Sequence, residues 1–256
     1  MVSMIFLSFI ACKPVTAPED FDTLASFLYE NFQNDSEYTE AGLTQLNEWL
    51  IENSEAVDQG YRIDHLSLEA IQTVEDISVE PALIGISKSV DFNYPVDDMA
   101  YVNFGVDPRD VFTNPDAVNE REYIGDPECF LAAECEFLRA DSILERSLPL
   151  NIEAIIYFAT DIRWVDTHLG PAFIQRRWLT QPTEINKDWI QINAGYALAI
   201  TLPMADGNAK QIETVWGDIV LGDLPLPEDA AFILAVDVLE NILSQFEEYL
   251  DENGTQ

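Results

Sequence analysis

The densest group of residues that could do chemistry falls between positions 161 and 177. It consists of Asp161, Arg163, Asp166, His168, Arg176 and Arg177. Arginine guanidinium groups hold anionic head groups through forked, charge-assisted hydrogen bonds, so Arg163, Arg176 and the nearby Trp178 are the candidate ligand-binding residues. The alternative is ion pairing across neighbouring strands on a solvated sheet face, where each pair contributes little to stability. The spacing alone leaves both interpretations open.

Catalytic and metal-binding motifs are scarce in this chain. Asp166 could orient the imidazole of His168, but the sequence from His168 to Pro171 is typical of a turn and no nucleophile accompanies it. The sequence lacks a Gly-x-Ser-x-Gly elbow, a Walker loop, a dinucleotide glycine pattern and a His-Glu-x-x-His motif. His65 and His168 are the only histidines, which is too few for a zinc site with the cysteines. We therefore expect no catalytic residue, no metal site and no cofactor in a protein that is not an enzyme.

The cysteines Cys129 and Cys135 have five residues between them. In an oxidising compartment such a pair can form a disulfide that closes a small loop. The alternative is two reduced thiols on a helix over residues 130–139, where an offset of six residues separates the Cα atoms by roughly 9 Å, beyond bridging distance. The disulfide therefore requires Cys129, which follows Pro127, to lie outside that helix.

The chain is strongly acidic. Its 256 residues include 47 Asp and Glu but only 12 Lys and Arg, a formal net charge of -35, together with 48% hydrophobic and 11% aromatic residues. This apolar content predicts a folded protein. The negative charge repels polyphosphates, so we expect no nucleic-acid partner. Acidic surfaces with few lysines stay hydrated in high salt, which would suit a marine or salt-adapted bacterium.

The N-terminus contains a short apolar run followed by a cysteine. Residues 2–11 are apolar and small, and as a helix they would rise only about 15 Å, half the thickness of a bilayer core. With Ala11 before Cys12, the run resembles the signal of bacterial lipoproteins, in which the cysteine becomes a lipid-modified N-terminus. The resemblance implies a signal peptide over residues 1–11, lipidation at Cys12 and anchoring to a membrane. Because Lys13 is not Asp, it also implies delivery to the outer membrane.

The rest of the chain is organised as one domain. Residues 12–20 predict an extended tether, and residues 21–256 predict a single globular α+β domain. Apolar residues recur at helical spacing over 21–32 and 43–50, which indicates two helices in a helical part over 21–57. The stretch over residues 93–127 is rich in turn residues and predicts loops.

Residues 62–250 predict a sheet followed by a C-terminal helix. Alternating patterns over residues 82–92, 156–164, 173–180, 190–202 and 211–221 indicate strands of an antiparallel meander, with a hairpin turn at Asp206 and Gly207. Pro227 suits a first helical position, and Glu228 and Asp229 complement the helix dipole. Apolar residues at spacings of three and four from position 232 to 250 then form one stripe along a long helix, which must pack on the sheet.

A meander followed by a long C-terminal helix resembles the helix-grip arrangement of START-like proteins. The resemblance rests on the order of elements over roughly residues 62–250. It implies that the helix closes over the sheet and that an apolar cavity between them takes a lipid or another apolar ligand.

Three classes of function follow from these patterns. Our prediction is a lipid-anchored interaction or structural protein of the cell envelope, marked by an exposed apolar patch and no deep cavity. The first alternative is a lipid-anchored START-like binding module with an enclosed apolar cavity. The second alternative is an envelope enzyme, which would need a cleft where His168, His65 or a carboxylate pair has a strongly perturbed pKa.

Overall fold

A computed structural model describes residues 14–63, 66–112, 119–222 and 230–254. The predicted signal peptide, Cys12, Lys13, His65 and the helix-start residues 227–229 lie outside the described residues. Within the described part, the chain forms one sheet of nine antiparallel strands with helices on both faces. The prediction of an α+β protein with a large antiparallel sheet and a C-terminal helix is confirmed.

The helices are α1 (Phe21–Glu30), α2 (Ser36–Asp58), α3 (Leu68–Gln72), α4 (Val96–Ala100), α5 (Pro108–Val111), α6 (Pro127–Leu131) and α7 (Ala230–Asn253). A π-helical turn, Tyr101–Gly105, continues α4, and a 3-10 turn spans Pro149–Asn151. The strands are β1 (Tyr61–Arg62), β2 (Ile84–Phe92), β3 (Asn119–Ile124), β4 (Phe137–Leu148), β5 (Ile152–Thr167), β6 (Gly170–Leu179), β7 (Glu184–Ile185), β8 (Ile190–Pro203) and β9 (Ala209–Leu221).

The strand order across the sheet is β1-β2-β9-β8-β6-β5-β4-β3, and the short strand β7 pairs with β5. Strands β3 to β9 follow one another as neighbours, apart from β7, so this part is the predicted meander. Strand β2 comes earlier in the chain but pairs with β9, the last strand. The segment between β2 and β3 must therefore cross from one edge of the sheet to the other, and it carries α4, the π-helical turn and α5.

The N-terminal helices cover one face of the sheet. Asp20 caps α1 by accepting a hydrogen bond from the backbone N–H of Thr23. The apolar stripe of α1 packs with α2, α3 and one side of β6, β8 and β9 in a single hydrophobic cluster. Ala17, in the segment predicted to be a tether, is buried in this same cluster.

Helix α7 covers the opposite face together with the short helices. Leu243, Phe246 and Leu250 are buried in a second hydrophobic cluster, which also contains Trp164 of β5 and Phe173 of β6. These α7 residues belong to the predicted apolar stripe, and the helix extends from Ala230 to Asn253 within the described residues. The sheet is therefore the middle layer of three.

The sequence interpretation missed strands β3 and β4. Residues 119–124 fall in the stretch predicted to be loops, and residues 137–139 fall in the segment with helical spacing. Both strands lie at one edge of the sheet, where β3 pairs only with β4. Their sequences alternate weakly because an edge hairpin over a partly filled interior needs few apolar side chains.

We expect replacement of a side chain of α7 by Ala to lower the free energy of unfolding substantially only at the buried positions of the helix. Leu243→Ala removes a side chain that is 1% exposed and should lower the free energy of unfolding by about 2–5 kcal/mol. Ile233 on the same helix is 52% exposed, so Ile233→Ala should change it by less than about 0.5 kcal/mol. Urea denaturation followed by circular dichroism measures both values, and equal effects would contradict this packing of α7.

Candidate ligand-binding cavity

A cavity of about 300 Å³ lies between α7 and the sheet. Its lining is mostly apolar and comes from α7, from the inner face of the strands and from Phe104 and Phe112 of the crossing segment. Cavities of this volume lie at the lower end of the range for small-molecule sites. A deep cavity is the feature expected of the binding-module alternative, and not of a purely structural protein.

One face of α7 forms the roof of the cavity. The lining residues of this helix are Phe232, Ala235, Val238, Ile242 and Phe246. Their spacings of three and four place them on one side of an α-helix. Towards the C-terminal end, the ring of Phe246 packs against that of Phe112 at 5.7 Å between centroids. This contact joins the roof to the crossing segment.

Small residues on β8 explain why the space is not filled. Gly195 and Ala197 line the cavity at the centre of the sheet, opposite α7. On β5, which lies beyond β6, the larger side chains of Ile156, Phe158 and Ile162 line the same space at alternate positions. The floor is therefore hollow under α7 because β8 contributes little side-chain volume there.

Polar side chains also face the cavity. Arg177 of β6 donates a hydrogen bond to the carboxylate of Glu213, which is buried on β9. Burial raises the pKa of Glu213, and the positive charge of Arg177 opposes that effect. Gln175 lies two residues before Arg177, and its side-chain amide is 3.5 Å from Asn103 Oδ1. Arg177, Gln175 and Asn103 line the cavity and form a polar part of an otherwise apolar space, whereas Glu213 is not among the lining residues.

Two further arginines reach the cavity from its outer edge. Arg121 of β3 donates from Nη1 to the backbone oxygen of Asn103 and, at 3.0 Å, to the hydroxyl of Tyr123, which donates to Phe104 O at 2.5 Å. These bonds fasten the π-helical turn to β3. Arg146 of β4 lies over the ring of Phe112 at 4.2 Å from its centroid, and burial lowers the pKa of Arg146 to about 10.

A wider pocket of about 740 Å³ adjoins the cavity on the side of β3 and β4. Four residues line both spaces: Phe104, Arg121, Ser142 and Phe158. The outer pocket also includes exposed residues of the crossing segment and of β3, such as Arg109 and Glu120. We call the place where the two spaces meet, lined by these four shared residues, the junction.

The structure places Arg163 and Arg176 away from this cavity. Both side chains lie on the face of the sheet covered by α1 and are 2% and 1% exposed. Arg163 donates to Glu136 at 2.8 Å and to the backbone oxygens of Phe32 and Asn34 at the end of α1. These hydrogen bonds occupy the guanidinium group of Arg163, which therefore cannot bind an anionic ligand. The prediction that Arg163 and Arg176 bind a ligand is corrected, because the cavity lies on the opposite face of the sheet.

Arg176 is held in the same way. Its Nη2 donates to Asp161 at 2.8 Å, and its Nη1 donates to the hydroxyl of Thr73 at 3.0 Å. The pairing is cross-strand, as in the alternative interpretation, because Asp161 and Arg176 are register partners on β5 and β6. The face is buried under helices, however, and is not the solvated face that this alternative assumed.

The remaining residues of the predicted group are separated. Trp178 is among the residues that line the cavity, and the guanidinium of Arg139 lies 5.1 Å from the centroid of its ring. Asp166 and His168 are exposed where β5 turns into β6. Although Trp178 borders the cavity, its side chain packs in the cluster on the α1 face, with its ring centroid 5.9 Å from the guanidinium of Arg176. The structure therefore brings none of the three candidate side chains into the cavity.

Cys129 and Cys135 form a disulfide, with 5.4 Å between their Cα atoms. The alternative, two reduced thiols on one helix over residues 130–139, is not what the structure shows, because residues 137–139 belong to β4. Cys129 lies within α6, but this helix ends at Leu131, and the chain turns back before Cys135. The backbone N–H of Cys135 donates to the carbonyl of Cys129, which holds the two residues close.

The sequence interpretation overlooked Arg121, Ser142 and Arg146. The signal that could have identified them is the scarcity of basic residues, because each Arg in so acidic a chain is conspicuous. Their strands were assigned to loops or left unassigned, so no periodicity indicated which way these side chains point.

The described residues contain neither a metal-binding cluster nor a membrane-spanning helix. No cluster of three or more His, Cys, Asp or Glu in this part of the chain is placed to hold a metal ion. None of the helices among residues 14–63, 66–112, 119–222 and 230–254 combines the length and apolar character needed to cross a bilayer.

Comparison with known proteins gave structural neighbours only. No protein-family model matches the chain, and no curated protein matches it in sequence. Similar solved structures include a START superfamily protein from Mycobacterium smegmatis (11% identity, TM-score 0.41, covering 66% of this chain and 97% of the other). A STAR-related lipid transfer protein from Xanthomonas axonopodis matches with 12% identity, a TM-score of 0.42 and coverage of 68% and 97%. Ara h 8.0201 matches with 13% identity, a TM-score of 0.40 and coverage of 67% and 99%.

We expect the buried pair Arg176–Asp161 and the exposed pair Arg109–Asp107 to contribute very differently to the free energy of unfolding. Arg176→Met removes the nearer cation of buried Asp161, which keeps Gln33 at 3.1 Å and the more distant Arg139 at 3.8 Å, and should lower the free energy of unfolding by about 3 kcal/mol. Arg109→Met removes a cation whose side chain is 69% exposed and pairs with Asp107, and should cause no measurable change. Thermal and urea unfolding of the two variants test this, and a small effect of Arg176→Met would contradict the anchoring of α1 by this pair.

Proposed function

We propose that this protein is a helix-grip binding module that holds a small, mostly apolar ligand between α7 and the sheet. The observation that carries this proposal is the cavity of about 300 Å³, with a roof of five apolar residues of α7 and a floor hollowed by Gly195 and Ala197. A purely structural role would not require the strands beneath α7 to leave this space. Burial of apolar ligand surface supplies the driving force for binding.

We also propose that the module is tethered to the outer membrane of a bacterium through a lipid on Cys12. The support comes from the sequence around Ala11, Cys12 and Lys13, and from the disulfide between Cys129 and Cys135, since such bonds persist in oxidising compartments. A binding module held in the cell envelope would meet ligands outside the cytosol.

Filling the cavity should abolish binding of an apolar probe. Ala235→Trp places an indole on the cavity side of α7, and we expect it to weaken binding of the neutral dye N-phenyl-1-naphthylamine by about tenfold or more. Ser244→Trp adds the same indole on the exposed side of α7 and should bind the dye like the wild type. Fluorescence titration gives both dissociation constants. Equal binding by the two variants, or no dye binding by the wild type, would refute the proposed cavity.

The anchor can be tested by growth in the presence of an alkyne-tagged fatty acid. The wild-type protein should incorporate the tag, and Cys12→Ala should not, because the proposed thioether needs the cysteine sulfur. Lys13→Asp is the matched control: it should keep the tag but shift the protein to the inner-membrane fraction. If Cys12→Ala incorporated the tag at the wild-type level, the lipid would not be attached to Cys12 and the proposed anchor would be wrong.

A further inference from the structure

The charges that line the cavity are not those of the protein as a whole. The chain has 47 acidic and 12 basic residues, but the described residues of the lining include three arginines, Arg121, Arg146 and Arg177, and no Asp or Glu. An apolar space whose only charged lining residues, among those described, are cations favours an anionic group on its ligand. The outer pocket differs, since it is also lined by four acids: Asp107, Glu120, Glu122 and Asp141. An anion is therefore disfavoured in the outer pocket.

The three arginines are not equally able to take an anion. The guanidinium of Arg177 is already paired with the buried carboxylate of Glu213. Arg146 stacks on Phe112 and donates to the backbone oxygen of Glu145 at 2.8 Å. Within the described residues, Arg121 donates two hydrogen bonds, both from Nη1, to Asn103 O and to the hydroxyl of Tyr123. Its Nε and Nη2 atoms can therefore donate in parallel to one carboxylate, which is the forked geometry that arginine prefers.

Ser142 supplies a second donor beside Arg121. The two residues are register partners on β3 and β4, which places their Cβ atoms about 5 Å apart. The Ser142 side chain is 95% buried, and its hydroxyl has no hydrogen-bond partner within the described residues. Buried hydroxyl groups normally have partners, because leaving one without a partner costs free energy. Because Ser142 lines both the cavity and the outer pocket, a bound ligand can supply the missing hydrogen-bond partner of its hydroxyl.

We infer that the cavity takes an anionic amphiphile whose carboxylate is bound at the junction by Arg121 and Ser142, with its alkyl chain in the apolar cavity under α7. This inference rests on the proposed function and names its ligand class. The volume of about 300 Å³ has room for roughly ten groups the size of a water molecule, which suits a medium-length alkyl chain.

Displacement of N-phenyl-1-naphthylamine by decanoate and by 1-decanol tests this ligand class, because the two compounds share an alkyl chain and differ in the charge of the head. The wild type should bind decanoate about tenfold more tightly than 1-decanol. Arg121→Gln should remove that preference by weakening decanoate binding about tenfold, with a much smaller change in binding of 1-decanol, which has no charge to pair with the guanidinium.

Ser142→Ala is a second variant that keeps the fold, since it deletes a buried hydroxyl with no partner. It should weaken decanoate binding about threefold to tenfold and weaken 1-decanol binding less, because a hydrogen bond to a carboxylate is stronger than one to an alcohol. Thr201→Val is the matched control, because Thr201 also has a buried hydroxyl without a partner in the described structure but does not line the cavity. This control should bind both compounds like the wild type.

The outcomes separate the two proposals. Equal binding of decanoate and 1-decanol by the wild type would overturn the anionic ligand and leave the apolar cavity standing. A preference for decanoate that survives both Arg121→Gln and Ser142→Ala would overturn the head-group site. Failure of the dye and of both compounds to bind the wild type would refute the proposed function itself.

Discussion

A single antiparallel sheet that is apolar on both faces has to be covered twice, because its strands carry apolar residues at odd and even positions. On β6, for example, Phe173 packs in the cluster under α7 and Ile174 packs in the cluster under α1. The N-terminal helices pack on their side in one hydrophobic cluster of buried residues. Helix α7 is a single rod and closes over its side without filling the centre, where β8 has Gly195 and Ala197. The cavity is a consequence of this unequal coverage.

The placement of the few cations follows from the same layers. In a chain with net charge -35, several basic side chains lie inside and hold layers together. Arg163 and Arg176 bind α1 to the sheet, and Lys88 joins β2 to α7 through Glu240 at 3.1 Å. Lys210 binds Asp58 at the end of α2 at 2.9 Å. Because these cations are buried, they contribute little to the surface, which is left predominantly acidic.

Patterns within one element were sufficient to predict much of the fold. The spacing in residues 21–32 and 232–250 indicated helices that the structure contains, and the alternation over 190–202 indicated β8. The hairpin at Asp206 and Gly207 follows from local backbone preference, with Gly207 at φ 89°. The prediction failed for β3 and β4, because an edge hairpin beside a cavity lacks the strict alternation of a strand packed on both sides.

The sequence by itself determined the class of fold, the position of several main elements and the acidic character of the molecule, since each depends on composition or on residues close in the chain. Only the tertiary structure decided which arginines face the cavity. Arg176 and Arg177 are adjacent in sequence, yet one anchors α1 and the other points under α7. Neighbouring residues of a strand point to opposite faces, so the function of each depends on which helix covers that face. That choice is made by packing between distant segments, which no local pattern contains.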